Sequence, residues 1–412
     1  MNAQPLRFVT AASLFDGHDA AINIMRRLIQ DKGVEVIHLG HNRSVHDVLH
    51  AAIQEDADAI CLSSYQGGHN EYFQYLCDQL TELGAGHIRV FGGGGGTITP
   101  EEISALQDNG VERIYHPNDG MKMGLLGMID DVVERAEKLR QYILPNTDNQ
   151  HWEIETARML SAIEDLSFDD GQMQALRAQW AAQPQAPVLG ITGTGGAGKS
   201  SLTDEILNRF HQFLPDLKIA VLAVDPTRRR TGGALLGDRI RMNALRHENI
   251  FMRSMATRRQ HVATNAMLSD AINYLKGSGF DLVIVETAGI GQSDSEIVDY
   301  VDLSTYVMTS EFGAASQLEK IDMLDFADCI VINKFEKPGS SDALRDVRKQ
   351  WRRNHNNFSL EDEKTPIFPT IASQFNDPGV SWLFQNLVNL LSDKSLSFKQ
   401  AAKLEEQFEA TN

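Results

Sequence analysis

Residues Gly193 to Ser200 read Gly-Thr-Gly-Gly-Ala-Gly-Lys-Ser, a full match to the pattern G-x-x-x-x-G-K-S/T. The apolar run Val188, Leu189, Gly190, Ile191 precedes them, and a helix is predicted from Lys199 onward. Strand, glycine-rich loop and helix in that order make a cradle for phosphate. Gly193, Gly195, Gly196 and Gly198 let backbone N–H groups point inward, and the helix dipole adds positive potential. In this arrangement Lys199 reaches the β- and γ-phosphates, the Ser200 hydroxyl holds magnesium, and Ser201 follows on the first helical turn. The chain is expected to bind a nucleoside triphosphate.

Acidic residues then end successive predicted strands. Asp225 closes Ile219–Val224, and Glu286 closes Asp281–Glu286 and leads into Thr287-Ala288-Gly289. Asp238 follows the run Gly232-Gly233-Ala234-Leu235-Leu236-Gly237, read as a flexible stretch suited to a switch. Magnesium takes a few carboxylates beside phosphates and waters, so Asp225, Asp238 and Glu286 suit it, while Gly289 is placed to sense the γ-phosphate through its backbone. Asn333-Lys334-Phe335-Glu336, after the predicted strand Cys329–Asn333, resembles the N-K-x-D guanine loop of G proteins. A carboxylate there accepts two hydrogen bonds from the guanine edge that adenine cannot supply. Glu336 stands where the pattern has Asp, which keeps the chemistry and changes the reach. GTP is the expected nucleotide.

The region from Val188 to about Ser373 resembles the G-protein chaperones associated with methylmalonyl-CoA mutase, the MeaB type. The matching stretches are Val224-Asp225-Pro226-Thr227, Gly232–Arg239, and Val285-Glu286-Thr287-Ala288-Gly289-Ile290-Gly291-Gln292-Ser293. The resemblance implies GTP hydrolysis with magnesium near Ser200, Asp225, Asp238 and Glu286. Where that family carries a serine- and proline-rich segment, this chain has Thr227-Arg228-Arg229-Arg230-Thr231, read as solvated or facing a partner.

A second set of residues lies near the N-terminus. Asp16-Gly17-His18 follows the first predicted strand, and a carboxylate two residues before a loop histidine can take the imidazole's second N–H and raise its basicity as a metal ligand. Ser63-Ser64-Tyr65 follows the third strand and Gly92–Gly96 the fourth, so all three loops open on the carboxyl edge of one sheet. Loops stripped of side chains leave room for a large inserted ligand. These residues resemble the cobalamin-binding domain of adenosylcobalamin-dependent mutases and methionine synthase, whose pattern is D-x-H-x-x-G, S-x-L, G-G. Asp16, His18, Ser63, Gly92 and Gly93 match, while Ala21 replaces the last Gly of the first motif and Tyr65 replaces the Leu of the second. The resemblance implies that His18 binds cobalt from its lower face, that Asp16 supports His18, and that the displaced dimethylbenzimidazole tail lies beside Ser63 and the glycines. His46 and His50, four apart on a predicted helix, are read as surface residues.

Two α/β segments must position these sites. Predicted strands Arg7–Ala11, Val34–Leu39, Ala59–Ser63, Ile88–Phe91 and Arg113–Tyr115 alternate with helices near Ala20–Gln30, Val45–Glu55, Glu71–Leu83 and Glu101–Asp108. That alternation predicts a parallel, flavodoxin-like, doubly wound sheet. A helical, charged stretch follows, closed by Gln183-Pro184-Gln185-Ala186-Pro187. Further strands at Val188–Thr192, Ile219–Val224, Asp281–Glu286, Ser304–Met308, Cys329–Asn333 and Ile367–Ile371 then predict a phosphate-loop GTPase α/β domain. The expected layout is a cobalamin-binding domain over 1–140, a helical linker over 141–187, the GTPase domain over 188–391 and a charged tail over 392–412.

Composition bounds the rest. A net charge of -18 over 412 residues argues against nucleic acid and anionic membranes as partners. Cys61, Cys77 and Cys329 are too scattered for disulfides or a thiolate metal site, and Cys61 and Cys329 lie in apolar runs that read as core. No signal peptide or apolar span is seen, so a cytoplasmic setting is expected.

The order of parts resembles the N-terminal portion of fused isobutyryl-CoA mutases, in which a substrate-binding barrel follows. Such a barrel needs about 250 residues, so the resemblance implies a fragment or split subunit that does not isomerise an acyl-CoA by itself. The expected cofactors are adenosylcobalamin, GTP and Mg2+, the expected partners an acyl-CoA mutase barrel and a second copy in a homodimer. A corrinoid carrier or regulator using nucleotide as a switch is the alternative. A nickel or cobalt metallochaperone is the third reading, which the dispersal of the 13 histidines argues against.

Overall fold

A computed structural model of the chain describes residues 5–141, 143, 145, 151–226, 233–257, 261–287, 297–312, 318, 319 and 321–401. It divides into two compact units. The first gathers the N-terminal part through Met173 with Asp225–Ile240 and Met252–Leu268, and the second gathers Gln174–Val224, Arg241–Phe251 and the residues from Ser269 onward.

The first five strands are β1 (Arg7–Ser13), β2 (Glu35–Arg43), β3 (Ala59–Ser63), β4 (Arg89–Gly93) and β5 (Arg113–Tyr115). The helices between and after them are α1 (Asp19–Asp31), α2 (Val45–Gln54), α3 (His69–Glu82), α4 (Pro100–Asp108) and α5 (Pro117–Leu139), followed by α6 (Trp152–Glu164) and α7 (Asp170–Ala181). Local chemistry sets the boundaries. Ser44 opens α2 with a capping box to Asp47, and Thr99 opens α4 with a capping box to Glu102 and proline at the first helical position. Every residue of β1 is buried, as a central parallel strand covered on both faces requires. Its alternate residues feed opposite cores: Val9 and Ala11 pack with Ile37, Leu62 and Phe73, whereas Phe8 packs with Val36, Phe91 and Ile129.

The remaining strands are β6 (Val188–Gly193), β7 (Ile219–Pro226), β8 (Ala234–Leu236), β9 (Ile250–Thr257), β10 (Leu282–Thr287), β11 (Leu303–Met308), β12 (Cys329–Ile332) and β13 (Ile367–Pro369). Helices α8 (Lys199–Phe213) and α9 (His261–Lys276) fall among them. One sheet has the order β5-β4-β3-β1-β2-β8, the other β13-β12-β11-β6-β10-β7-β9. The first is the flavodoxin order with one strand added at its edge, and its order reverses between β1 and β3. In the second, β6 lies between β11 and β10 in parallel pairing with both. Both halves are the α/β architectures expected.

Two strands were not foreseen. Ala234–Leu236, expected inside a flexible stretch, pairs in parallel with β2 instead. It is three residues long and bounded by glycines, so its pattern is too short to read. Ile250–Thr257 carries Arg253 and Ser254, both buried, which breaks the apolar signature of a strand. His50 also differs from its surface reading. Because α6 packs on α2, His50 lies half-buried with Nε2 2.8 Å from Glu153 Oε1, while His46 stays exposed. All three cysteines are buried and free.

Candidate functional site

In the first unit, the loop after β1 and the loops after β3 and β4 meet at the carboxyl edge of the sheet. Asp16 is 1% exposed. Its Oδ1 accepts from the His18 backbone N–H at 2.9 Å and pairs with His18 Nδ1 at 2.8 Å, and its Oδ2 accepts from the Tyr65 N–H at 2.7 Å. Burial pushes this carboxyl up, but the hydrogen bonds from His18 and Tyr65 outweigh it and hold the carboxyl below its ordinary value. An ionised carboxylate is an acceptor only, so His18 Nδ1 carries the shared proton, and in the neutral imidazole Nε2 is then the nitrogen with the free lone pair. The His18 side chain is 73% exposed, so that lone pair is open to a ligand.

Behind this pair lies a cavity of about 310 Å³. Its walls are largely apolar, from Ile22, Met25, Phe91, Ile129 and Val132, with Ser63, Tyr65 and Gly92–Gly95 at one side. Ser63 Oγ is buried and has no hydrogen-bond partner among the described residues. An orphaned hydroxyl in an apolar slot is costly unless a ligand meets it. Tyr65 joins cavity to histidine: it lines the slot, and its ring centroid lies 5.3 Å from that of His18. Ala21, the other departure from the cobalamin pattern, also lines the slot. The glycines serve packing as well as room. A β-carbon on Gly92 would lie 2.4 Å from Phe73 Cζ, and one on Gly94 would lie 1.9 Å from Ser64 O. Gly93 meets only Tyr115 O, at 3.5 Å. A histidine with an open nitrogen, a carboxylate holding its other face and a slot with one orphaned hydroxyl fit a cobalt corrinoid with an inserted tail.

In the second unit, Gly193 ends β6 and Gly198 precedes α8, with Gly195 and Gly196 exposed in the turn between. Lys199 Nζ donates to the carbonyls of Gly193 (3.0 Å) and Thr194 (3.3 Å), so the ammonium sits on the loop it must share with phosphate. Ser200 Oγ donates to Glu286 Oε1 at 2.7 Å, and Thr203 Oγ1 lies 2.8 Å from Glu286 Oε2. All three are buried. Ser201 is half-buried beside them on α8. Asn333 braces the loop: its Nδ2 donates to Ala197 O at 2.8 Å, while its Oδ1 accepts from Ala372 N at 3.0 Å and Thr370 Oγ1 at 3.1 Å. Lys334 Nζ donates to Gly196 O at 2.8 Å. Glu336 is exposed. Asp225, which falls in the first unit as Asp238 does, is half-buried at the end of β7. Asp238 opens a 3-10 turn, Asp238–Arg241. Gly232, Gly289–Ser293 and Thr227–Thr231 lie outside the described residues.

Sequence reading missed Thr203, Thr370 and Ala372. Thr203 falls one helical turn after Ser200 and so shares its face, a signal that was available. Its hydroxyl grips the carboxylate oxygen that Ser200 does not. Thr203→Val, nearly isosteric, is expected to raise the magnesium concentration for half-maximal GTP hydrolysis about tenfold, with Thr203→Ser near the parent, as for other groups that orient a metal ligand. A magnesium titration unchanged in the valine variant would remove Thr203 from this role.

Family comparison matches residues 157–407 to the methylmalonyl-CoA mutase-associated GTPase MeaB and residues 6–126 to the B12-binding domain. The fused isobutyryl-CoA mutase of Cupriavidus metallidurans is 57% identical over 401 residues, 96% of this chain and 37% of that protein. Its namesake from Geobacillus kaustophilus is 53% identical over 95% of this chain and 37% of its own length. The chain thus spans a little over a third of the relatives it matches. A solved LAO/AO transport system kinase is similar at 22% identity and a TM-score of 0.42, covering 61% of this chain and 76% of that one.

Proposed function

The chain belongs to the family of methylmalonyl-CoA mutase-associated GTPases of the MeaB type, with a B12-binding domain ahead of that module, and on that premise we propose that it is the cofactor-handling part of an acyl-CoA mutase of the isobutyryl-CoA/butyryl-CoA kind. It binds cobalamin and hydrolyses GTP. The isomerisation belongs to a mutase barrel, in the same polypeptide or another. Cobalamin, when bound, supplies radical chemistry through homolysis of its cobalt–carbon bond.

The chain's own residues have these roles. His18 presents Nε2 to cobalt, and Asp16 fixes its tautomer and orientation. Ser63, Gly92 and Gly93 line the slot for the tail. Lys199 neutralises the β- and γ-phosphates, the loop glycines and Ser201 hold them, and Ser200, Glu286, Asp225 and Asp238 serve magnesium. Asn333, Lys334 and Glu336 read the base. The GTPase gates cofactor loading or protection. We assign the cobalamin-binding domain to 1–140, the helical linker to 141–187, the GTPase domain to 188–391 and the charged tail to 392–412. We further assign a homodimer in the cytoplasm with no nucleic-acid or membrane partner. Among the described residues no helix is long and apolar enough to cross a membrane.

The observation that carries this reading is the buried Asp16 clamped on an exposed His18 beside a slot with an orphaned hydroxyl. The test of gating is cobalamin release from the chain with a non-hydrolysable GTP analogue or with GDP. The reading predicts different rates, and equal rates contradict it. The base loop makes a separate prediction. Glu336→Ala is expected to cut the preference for GTP over ATP about 100-fold, since a missing acceptor leaves guanine donors unpaired. An unchanged kcat/KM ratio for the two nucleotides would assign base recognition elsewhere.

A further inference from the structure

Glycine continues past the two positions of the cobalamin pattern. Gly92 and Gly93 match it, and Gly94, Gly95 and Gly96 follow. The first two of these extra glycines face the loop after β3. A β-carbon on Gly94 would lie 1.9 Å from Ser64 O. Gly95 has a φ of +59°, and a β-carbon there would lie 2.9 Å from Tyr65 Cε1 and 3.5 Å from Tyr65 Cδ1. Bare backbone at Gly95 therefore seats the Tyr65 ring.

The peptide that carries this ring is fixed by both neighbouring loops. The Ser64 N–H donates to Gly93 O at 2.8 Å, and Ser13 Oγ donates to Ser64 Oγ at 2.8 Å. The Tyr65 N–H donates to Asp16 Oδ2 at 2.7 Å. The ring is half-buried and lines the slot, and its centroid lies 5.3 Å from that of His18 at an interplanar angle of 41°. That is contact distance for an aromatic pair. Tyr65 thus meets both members of the Asp16–His18 pair. Its main chain holds the carboxylate, and its side chain flanks the imidazole.

The bond between Nδ1 and Asp16 Oδ1 fixes one end of the imidazole and leaves it free to rock about that bond. At 73% exposure, most of the His18 side chain faces no protein neighbour that would stop it. A flat second contact restricts this motion. Ordering a ligand in advance removes that entropic cost from the binding step. Leucine, which the cobalamin pattern carries at this position, fills space but has no flat face.

We propose that Tyr65 is the positioning residue that presets the His18 imidazole for cobalt before the corrinoid's tail enters the slot, and that Gly95 is glycine in order to seat it. This rests on the reading above that His18 is the cobalt ligand. On this arrangement His18 ligates a corrinoid that has no tail at all.

The test therefore uses cob(II)inamide, the corrinoid without its tail and base, with the full 412-residue chain. This probe brings no nitrogen base of its own. Nitrogen superhyperfine splitting in its electron paramagnetic resonance spectrum thus reports a ligand from the protein, and the parent is expected to show it. Tyr65→Leu keeps the peptide N–H to Asp16 and places the pattern's own residue in the loop. It is expected to weaken cob(II)inamide binding about tenfold, in the range for groups that orient a metal ligand, and to diminish the splitting. Tyr65→Phe keeps the ring and is expected to stay near the parent. Gly95→Ala displaces the ring without changing Tyr65 and is expected to follow Tyr65→Leu. Since the probe has no tail, a narrower slot alone cannot produce these effects. Parental affinity and splitting in the leucine and alanine variants overturn the proposal, as does a phenylalanine variant no better than leucine. A parent that binds cob(II)alamin yet gives no splitting with cob(II)inamide also overturns it, because His18 then depends on the tail. A parent that binds neither overturns the cobalamin reading itself, and this proposal with it.

Discussion

His18→Ala is expected to weaken adenosylcobalamin binding about 100-fold, equivalent to roughly 2.7 kcal/mol, and to abolish the base-off shift of its visible spectrum. The imidazole is mostly exposed and its polar partner is Asp16, so little folding stability is at stake. The loss is that of a ligand held in place before binding. Asp16→Asn separates ligation from support. An amide oxygen can still accept from His18, but the amide nitrogen cannot accept from the Tyr65 N–H, so a smaller loss of about tenfold is expected. Equal spectra and affinities for parent and His18→Ala would place cobalt coordination elsewhere. The carboxylate of Asp16 is held below its ordinary value, so its contribution is present above the unfolded-state pKa, near 3.8, and is lost as pH falls through the lower folded value.

Lys199→Ala and Glu286→Gln are expected to reduce kcat for GTP hydrolysis by roughly 10²–10³, the range seen when a preorganised charge or donor is removed from a transition state. Their signatures should differ. On the proposed reading Lys199 acts on phosphate; it rests on the carbonyls of Gly193 and Thr194, so its loss should also weaken nucleotide binding. Glu286 is gripped by Ser200 and Thr203, so its neutralisation should appear as a higher magnesium requirement. Single-turnover hydrolysis over a magnesium series distinguishes them. Activity within about threefold of the parent for either variant, small against the loss expected from such a site, would remove that residue from the catalytic group.

Most of the layout was legible because its signals are local. Ala59–Ser63 and Arg113–Tyr115 are strands at the bounds their apolar runs suggested, and α8 begins at Lys199, where the loop motif required it. Loops that end parallel strands share one edge, so Asp16, His18, Ser63 and Gly92 could be grouped without coordinates. What escaped was non-local. β8 is too short to show a period, and it gains its partner from β2, about 200 positions earlier in the chain. β9 hides behind Arg253, whose burial is offset by Glu164, Ser161 and the Glu55 carbonyl. Charge in a sequence reads as surface, and nothing in the composition marks Arg7, Arg239 and Arg253 as interior. The role of Gly92 was half legible: its lack of a side chain signals close approach, but the group approaching is Phe73 rather than a ligand alone.

On the proposed function, His18 would be the cobalt ligand in place of the corrinoid's own base. The electron paramagnetic resonance spectrum of cob(II)alamin bound to chain labelled with nitrogen-15 histidine tests it directly. Coordination by His18 predicts superhyperfine lines split into doublets by the labelled nitrogen, and their loss in His18→Ala. Triplets from the unlabelled dimethylbenzimidazole, unchanged by the label, would contradict it.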